Sequence, residues 1–318
     1  MDYILLIVGL ALLTVGADLL TKGCVGMAAR FRVPEFIVGL TVMAVGTSMP
    51  ELTVSTISAL NGSSDMAIGN VTGSNLFNTL IILGICALIR PMVFTKENVR
   101  RDIPLCIAAS AVLLVMALYI GSPAGIGRVE GLILFFMYVA FVLYSIRSAK
   151  KDAPDADAGT DDGKQSEGTM SWGRILLFIV VGLAGLIYGG NLCLNSATAI
   201  ARAWGVSEAI IAITIVAAGT SLPELASSVA AIANGKLSLA LGNVIGSNVA
   251  NILLILGVSG SIKPLTMGGI TPLDMWMVLG SAVLLLLSAL AIGQRRITRL
   301  EGAIYLAVYV GYVILLMK

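Results

Sequence analysis

Residues 33–80 read VPEFIVGLTVMAVGTSMPELTVSTISALNGSSDMAIGNVTGSNLFNTL, and residues 206–253 read VSEAIIAITIVAAGTSLPELASSVAAIANGKLSLALGNVIGSNVANIL. The two stretches align without gaps at a constant offset of 173 residues, and roughly half of the aligned positions are identical. Low-complexity apolar sequence could imitate part of this likeness. It would not reproduce GTS[ML]PEL and GNVxGSN in the same order and register. The chain therefore contains an internal repeat, and this repeat decides its fold.

The composition around the repeat is that of a membrane protein. Hydrophobic residues make up 58% of the 318 residues and charged residues 12%, about half of the roughly 25% found in soluble proteins. The mean hydropathy is +0.97. The apolar residues fall in runs of about 18 or more, each long enough to cross a hydrocarbon core of about 30 Å. These features predict an all-α polytopic membrane protein.

Ten transmembrane helices are expected, five in each half of the chain. They are predicted at about residues 3–20, 35–60, 66–89, 103–120, 129–146, 175–197, 208–233, 237–262, 273–292 and 300–317. Because five is odd, the second copy enters the membrane from the opposite side. The expected fold is two inverted five-helix repeats, residues 1–147 and 174–318, joined by an acidic linker at 148–173. Inverted repeats of this kind are typical of secondary transporters.

The basic residues predict the orientation. Sixteen of the 20 Lys and Arg residues fall in loops on one side, which the positive-inside rule assigns to the cytoplasm. Both termini are then extracellular or periplasmic, and the central loop is cytoplasmic, in a multi-pass protein of the cell membrane. The linker lacks an EF-hand pattern and is too short for a folded domain, which favours a solvated linker over a cation-sensing segment.

Several function classes find no support in the composition. A net charge of +2 gives no indication of nucleic-acid binding, and the chain has no histidine. Its four cysteines show neither metal-ligand spacing nor a disulfide framework. An intramembrane enzyme lacks a GxSxG motif or another recognised dyad. We therefore expect neither an enzyme nor a bound cofactor, and the sequence leaves the oligomeric state open.

The acidic residues outside the linker fall into two groups. Asp18 and Lys22 are four residues apart and can pair on one helix face. Glu35 and Glu208 lie at helix starts, where negative charge is favoured. Glu51 and Glu224 instead lie well inside the second and seventh predicted spans, where a carboxylate costs about 2.5–3.5 kcal/mol on insertion scales.

The two intramembrane glutamates predict a cation site. No Lys or Arg occupies the middle of any predicted span, so Glu51 and Glu224 have no basic partner there. Two such carboxylates repel unless cations or protons neutralise them. The alternative is that both are permanently protonated structural groups.

The residues around the glutamates suit a hard cation. Pro50 and Pro223 cannot donate to the carbonyls of Gly46 and Gly219, so each helix should kink there and release carbonyl oxygens. Hydroxyl groups beside the same breaks belong to Thr47, Ser48, Thr220 and Ser221. Calcium takes six to eight oxygen ligands, whereas soft metals prefer Cys or His.

The GNVxGSN segments supply further polar groups. Ser74 and Asn78 are four residues apart and share one helix face, as do Ser247 and Asn251. We expect these four residues to line the site. Small polar residues also hold transmembrane helices together, and that role is at least equally expected for the remaining asparagines of the motif, Asn70, Asn75, Asn243 and Asn248.

The paired GTSMPEL/GNVTGSN and GTSLPEL/GNVIGSN motifs resemble the two alpha repeats of the calcium/cation antiporter superfamily, in particular its prokaryotic sodium/calcium exchangers. The resemblance covers nearly the whole chain. It implies that Glu51 and Glu224 bind calcium with the carbonyls of Thr47 and Thr220. It also implies that the two glutamates bind sodium together with Ser48, Ser74, Ser221, Ser247 and the carbonyls of Ala44 and Ala217. Asn78 and Asn251 would complete the centre.

The resemblance also bears on the coupling ion. Potassium-dependent members, and some archaeal relatives, carry Asp at the position of Asn251. Proton-coupled members carry a Glu soon after Gly-Asn that this sequence lacks. The expected function is a sodium/calcium antiporter that exports calcium. A proton- or potassium-coupled calcium/cation antiporter is the first alternative, and a cation channel is a less favoured one.

Overall fold

Apart from two short strand pairs, the regular structure of the described residues is helical. The computed structural model describes residues 1–120, 125–152, 170–205, 217–291 and 295–316. The helices of the first half are α1 (Asp2–Phe31), α2 (Glu35–Thr47), α3 (Met49–Asn61), α4 (Ser64–Ile89), α5 (Asn98–Ile120) and α6 (Arg128–Asp152). Those of the second half are α7 (Trp172–Ala203), α8 (Ala217–Gly219), α9 (Leu222–Ala233), α10 (Leu237–Ile262), α11 (Pro272–Ala291) and α12 (Arg299–Leu316).

The expected all-helical class is confirmed. In the described part of the chain eight helices are long and apolar enough to cross a membrane, and the bent pair α2–α3 raises the number to nine. The expected seventh span is represented by α8 and α9, and its residues 208–216 lie outside the described residues. The ten-helix count is therefore not reached by these residues alone.

The helices around the predicted linker are longer than expected. Helix α6 continues to Asp152, and α7 begins at Trp172, where the Ser171 side chain accepts a hydrogen bond from the Arg174 amide at 3.4 Å. Polar residues can continue a helix beyond the hydrocarbon layer, so hydropathy alone places these ends too early. Most of the linker, residues 153–169, lies outside the described residues.

Helices α4 and α10 form the centre of the molecule. Of their most apolar stretches, 72% and 94% of the residues are buried, whereas the figure for every other spanning helix is 44% or less. The outer helices are apolar yet expose large aliphatic side chains such as Ile7 on α1 and Val180 on α7. An apolar helix with an exposed face fits a lipid environment, where the backbone groups are satisfied within the helix. The GNVxGSN motifs thus lie on the two innermost helices.

The predicted kink is confirmed, two residues before Pro50. Helices α2 and α3 meet at Ser48 with a bend of 46°. Pro50 lies in the first turn of α3, where its missing N–H is not needed by the helix. Pro223 occupies the same position at the start of α9. In both repeats the proline begins a new helix rather than bending a continuous one.

Three stretches of π-helix near the centre were not expected from the sequence. They are Gly39–Met43 in α2, Phe77–Ile82 in α4 and Asn251–Ile255 in α10. The last two occupy corresponding positions of the repeat and contain Asn78 and Asn251. A π-turn inserts one extra residue into the helix and often marks a functional site. Hydrophobic periodicity does not reveal it.

Two antiparallel strand pairs join the halves. β1 (Met92–Val93) pairs with β4 (Arg296–Ile297), and β2 (Gly125–Ile126) pairs with β3 (Leu265–Thr266). β1 and β3 are separated by the same 173 residues as the sequence repeats. Each strand of one half therefore pairs with a strand of the other.

Two ion pairs lie near the ends of α1 and α2, and the sequence predicted one of them. Lys22 pairs with Asp18 at 2.6 Å, as predicted. Glu35 begins α2 and pairs with Lys236 at 2.8 Å, a contact between the halves that the sequence did not indicate. Glu208, the repeat counterpart of Glu35, lies outside the described residues.

Helices α2 and α10 pack backbone against backbone. A Cβ atom added to Gly242 would collide with the Phe36 carbonyl oxygen and would lie 2.9 Å from the Leu40 nitrogen. At Gly246 it would collide with the Leu40 carbonyl oxygen. Backbone atoms cannot move aside as a flexible side chain can. The motif glycines are thus needed for the close approach of these two helices.

We expect Gly242→Ala to destabilise the protein by about 1–3 kcal/mol, because the added methyl group forces α2 and α10 apart. The melting temperature of the detergent-purified protein should fall by several degrees. Gly311→Ala is the control, since nothing lies within 4 Å of a Cβ at Gly311 in α12. Equal melting temperatures for the two variants would contradict the packing argument.

Candidate functional site

The two helix breaks place Glu51 and Glu224 at equivalent positions. Glu51 lies in the first turn of α3 and Glu224 in the first turn of α9, and both side chains are completely buried. A helix N-terminus stabilises a negative charge, so each break partly compensates the carboxylate that follows it. The site is built at the start of a helix in each half.

Serine residues connect each glutamate to the other half of the chain. Ser48 donates a hydrogen bond to Glu224 Oε1 at 2.8 Å, and Ser221 donates one to Glu51 Oε1 at 3.2 Å. Ser48 and Ser221 are repeat counterparts, so the two bonds are related by the repeat. Ser74 lies 3.5 Å from Glu51 Oε1 in a longer contact. The two carboxylates and the three serines therefore form one site between the halves.

Several buried oxygen atoms of this site have no hydrogen-bond partner in the described part of the chain. They are Glu51 Oε2, Glu224 Oε2, Ser247 Oγ, Asn78 Oδ1 and Asn251 Oδ1. An unpaired buried polar atom costs about 1–3 kcal/mol, and more when it is charged. Carboxylate oxygens can only accept, so a bound cation would satisfy them.

The helices around the site provide no positive charge. Helices α3, α4, α9 and α10 contain no Lys or Arg between their first and last residues. Within the described ranges no three His, Cys, Asp or Glu side chains converge into a metal-binding group. A cation here would be held by two carboxylates and by neutral oxygen atoms, which suits hard cations.

The predicted threonine ligands lie at the breaks, and the predicted alanine ligands lie three residues before them in the preceding helices. Thr47 is fully buried and Thr220 is half-buried, and they lie beside the carboxyl groups of Glu224 and Glu51 respectively. The Ala44 carbonyl accepts a hydrogen bond from the Ser48 amide at 3.0 Å. It also lies 3.3 Å from the Thr47 hydroxyl, whose single hydrogen it shares with Asn243 Oδ1. Ala217 begins α8. The threonines thus lie beside the glutamates, and the Ala44 carbonyl is already engaged.

The central asparagines differ between the halves. Asn251 Nδ2 donates to Asn75 Oδ1 at 3.4 Å, which turns Asn251 Oδ1 away from Asn75. Neither polar atom of the Asn78 amide has a partner in the described residues. Asn248 donates to Thr79 at 2.7 Å, and the repeat counterpart of Thr79 is Ile252, which cannot form such a bond.

Two asparagines that the predicted ligand set left out contact its threonines. Helix packing was at least equally expected for Asn70 and Asn243, and they bond to Thr220 and Thr47 across the halves at 3.4 and 3.3 Å. Their equivalent positions in the two GNVxGSN motifs were visible in the sequence. Their partners, 150 and 196 residues away, were not.

Comparisons with known proteins show the family that the chain matches. The model of a family described as sodium/calcium exchanger protein matches residues 1–147 and 174–318. The sodium/calcium exchanger MaX1 of Methanosarcina acetivorans is 30% identical over 99% of this chain and 98% of its own. The inner membrane protein YrbG of Escherichia coli is 35% identical over 85% of this chain and 81% of its own.

A solved structure of a sodium-calcium exchanger has a similar fold. The sodium-calcium exchanger NCX_Mj, soaked with zero Na+ and Ca2+, matches with a TM-score of 0.84 at 28% identity. The match covers 99% of this chain and 98% of that one. The likeness therefore extends over both halves, beyond the repeated motifs alone.

Proposed function

This chain belongs to the sodium/calcium exchanger family, whose members are multi-pass membrane antiporters rather than enzymes, and we propose that it exchanges sodium for calcium by alternating access. Calcium and sodium ions are the substrates of this family. In the proposed cycle sodium moves down its gradient and drives calcium out of the cell. The two ions occupy the same centre in turn and cross the membrane in separate half-cycles.

The hydrogen bonds that join Glu51 and Glu224 to the opposite halves are the observation that supports this function most directly. Each buried carboxylate is bonded by a serine of the other half, and each keeps one oxygen without a described protein partner. A cation that binds both carboxylates therefore also binds both halves together. A site of this kind can couple ion occupancy to the relative position of the repeats.

We assign the ligands by their chemistry and position. Calcium is held by the Glu51 and Glu224 carboxylates and the carbonyls of Thr47 and Thr220. Sodium ions share the two carboxylates and use the remaining polar groups of the centre: Ser48, Ser74, Ser221, Ser247 and the carbonyls of Ala44 and Ala217. Asn78 and Asn251 would complete the centre as neutral oxygen ligands, and the Oδ1 atom of each, which has no partner in the described part of the chain, supports this role. One calcium ion neutralises the two carboxylates, and occupancy by one ion species excludes the other.

Two inverted repeats of five spans, ten in all, provide the proposed movement. The paired bonds Ser48–Glu224 and Ser221–Glu51 and the two strand pairs β1–β4 and β2–β3 support this pseudo-twofold relation. If the two halves exchange conformations, the site opens to the other side of the membrane. The distribution of basic residues supports external termini and a cytoplasmic central loop.

In the proposed orientation, the burial of four residues around the site supports a conformation closed towards the cytoplasm. Thr47 and Asn243, nearer the cytoplasm, are fully buried, whereas Thr220 and Asn70, nearer the outside, are half-buried. The ion pair between Glu35 and Lys236 lies on the closed side. Ions would therefore enter this conformation from outside, past Thr220 and Asn70.

Sodium is the proposed coupling ion. Asn251 contributes a neutral oxygen, so the centre has two formal negative charges from glutamate and none from a third acid. This charge matches one calcium ion and argues against potassium coupling. Neither Gly69-Asn70 nor Gly242-Asn243 is followed by the glutamate that proton-coupled relatives carry.

Calcium flux into reconstituted vesicles tests this proposal. We expect calcium uptake to require an outward sodium gradient and to proceed against a calcium gradient, because the two ions are coupled through one site. Imposed proton or potassium gradients alone should drive less than about one tenth of that uptake. Calcium uptake that does not depend on the sodium gradient would overturn sodium coupling. Calcium movement that only runs down the calcium gradient would indicate a channel.

A further inference from the structure

Asn243 connects the break of the first half with the glutamate-bearing helix of the second. Its Oδ1 accepts a hydrogen bond from the Thr47 hydroxyl at 3.3 Å. Its Nδ2 donates to the hydroxyls of Ser227 and Ser228 at 3.1 and 3.0 Å, and Ser227 donates to the Glu224 carbonyl at 3.1 Å. The buried Asn243 amide thus uses its acceptor for one half and its donor for the other.

Asn70 makes the corresponding connection in the opposite direction. Its Oδ1 accepts from the Thr220 hydroxyl at 3.4 Å, and its Nδ2 donates to Ser55 at 3.0 Å and to the Glu51 carbonyl at 3.4 Å. Asn70 and Asn243 are repeat counterparts, as are Ser55 and Ser228. The same bonding pattern therefore occurs twice, although the two halves differ in many neighbouring side chains.

We propose that Asn70 and Asn243 are positioning residues, each of which holds the break threonine of the opposite repeat beside the glutamate of its own repeat. Asn243 fixes Thr47 against Glu224, and Asn70 fixes Thr220 against Glu51. The inference rests on the proposed function, because the geometry that the asparagines preserve is that of the calcium ligands.

The position of the threonines explains why such support is needed. Thr47 ends α2 and Thr220 follows α8. The Ser48 amide still bonds to the Ala44 carbonyl at 3.0 Å. Pro50, however, has no N–H for the Gly46 carbonyl, so the ladder of backbone bonds is interrupted after Thr47. The next residue, Ser48, has a non-helical ψ of 10°. Where the ladder is interrupted, backbone bonds fix the peptide orientation less completely. In this proposal the side-chain bond to the threonine hydroxyl adds a constraint next to the carbonyl that would bind calcium.

Simple helix adhesion would not require this pattern. A residue that only holds helices together can bond any partner on the neighbouring helix. Asn70 and Asn243 both select the threonine at the break, and both reach the backbone of the glutamate, directly or through Ser227. The two elements that supply calcium ligands are thereby connected to each other rather than to the surrounding protein.

Sodium-driven calcium uptake in vesicles, measured over a range of calcium concentrations, tests the inference. We expect Asn243→Ala and Thr47→Val each to raise the half-saturating calcium concentration about tenfold, with the maximal rate within about twofold of wild type. The double variant should be no worse than Asn243→Ala alone, because that substitution already removes the bond between Asn243 and Thr47. Thr47→Ser keeps the hydroxyl and should bind calcium like the wild type.

The matched control is Thr53→Val, in which an exposed hydroxyl bonded to the Met49 carbonyl of its own helix is removed. It should leave the half-saturating concentration unchanged. Thr220→Val should act like Thr47→Val but more weakly, because its bond is half-exposed. If Thr47→Val does not fold, as judged by its melting curve, the half-saturating calcium concentrations of Thr220→Val and Asn70→Ala test the inference instead.

Three results would overturn the inference while leaving the proposed function intact. The first is that the wild type exchanges the ions but Asn243→Ala has the same calcium dependence as the wild type. The second is that the effects of Asn243→Ala and Thr47→Val multiply in the double variant. The third is that either variant lowers the maximal rate without changing the half-saturating calcium concentration. A wild type without sodium-driven calcium uptake would instead contradict the proposed function itself.

Discussion

Replacing Glu51 or Glu224 with glutamine is expected to reduce sodium-driven calcium uptake by at least about 100-fold while the protein still folds. Each substitution removes one of two formal negative charges from a fully buried site. Breaking a buried charge interaction costs about 3–5 kcal/mol, which exceeds the roughly 2.7 kcal/mol of a 100-fold change. The amide retains the size of the side chain, so packing around it is preserved.

Calcium binding to the purified protein gives a second measurement of the same variants. A ligand that binds only the folded state raises the melting temperature, and the increase follows its affinity. Calcium should raise the melting temperature of the wild type and have almost no effect on Glu51→Gln or Glu224→Gln. This result separates lost binding from a slowed conformational change.

Glu301→Gln is the matched control for these substitutions. Glu301 is also a buried glutamate in the first turn of a helix, α12, but its Oε2 accepts bonds from the amide and hydroxyl of Thr298, at 2.7 and 2.8 Å. We expect its variant to retain exchange within about threefold. Full transport by Glu51→Gln or Glu224→Gln would remove those residues from the proposed site.

The repeat explains why so much of the fold and site could be predicted. A carboxylate inside an apolar span is conspicuous, and the constant offset identified Glu51 and Glu224 as one pair. Hydropathy placed every expected span on a helix, except for the undescribed part of the seventh. The break fell at Ser48 rather than Pro50, because a proline is best accommodated in the first turn of the following helix.

What the sequence could not predict depends on packing between distant segments. The partners of Asn70 and Asn243 come from the opposite half, and no local pattern specifies them. The π-turns at Asn78 and Asn251 leave the apolar composition of their helices unchanged, so periodicity does not report them. The difference between Asn75 and Asn248 depends on one hydroxyl, that of Thr79, whose counterpart is Ile252.

The surroundings of Asn251 indicate how the centre would accept another charge. Asn251 Nδ2 donates to Asn75 Oδ1, while Asn75 Nδ2 has no partner among the described residues. An aspartate at position 251 has no hydrogen to donate. If the Asn75 amide turned over, its Nδ2 would face that carboxylate and could donate to it. Asn75 Oδ1 would then lose its partner as Asn75 Nδ2 gains one, so a third acid can be accommodated without increasing the number of unpaired buried polar atoms.

Asn251→Asp is expected to lower the half-saturating calcium concentration about tenfold or more, since the number of charged ligands sets calcium affinity. The maximal rate should fall, because a more tightly held ion leaves more slowly. With three formal negative charges the centre can hold a monovalent cation beside calcium, so potassium should stimulate uptake by this variant but not by the wild type. Vesicle uptake with and without potassium measures both effects.

Two further variants make this prediction specific. Asn61→Asp adds the same charge at the exposed end of α3 and should change neither calcium affinity nor the response to potassium. Adding Asn75→Ala to Asn251→Asp removes the donor that stabilises the new carboxylate and should reverse part of the gain in affinity. If Asn251→Asp shows the wild-type dependence on calcium and potassium, Asn251 lies outside the ion-binding centre. The absence of a third acid would then not explain the choice of coupling ion.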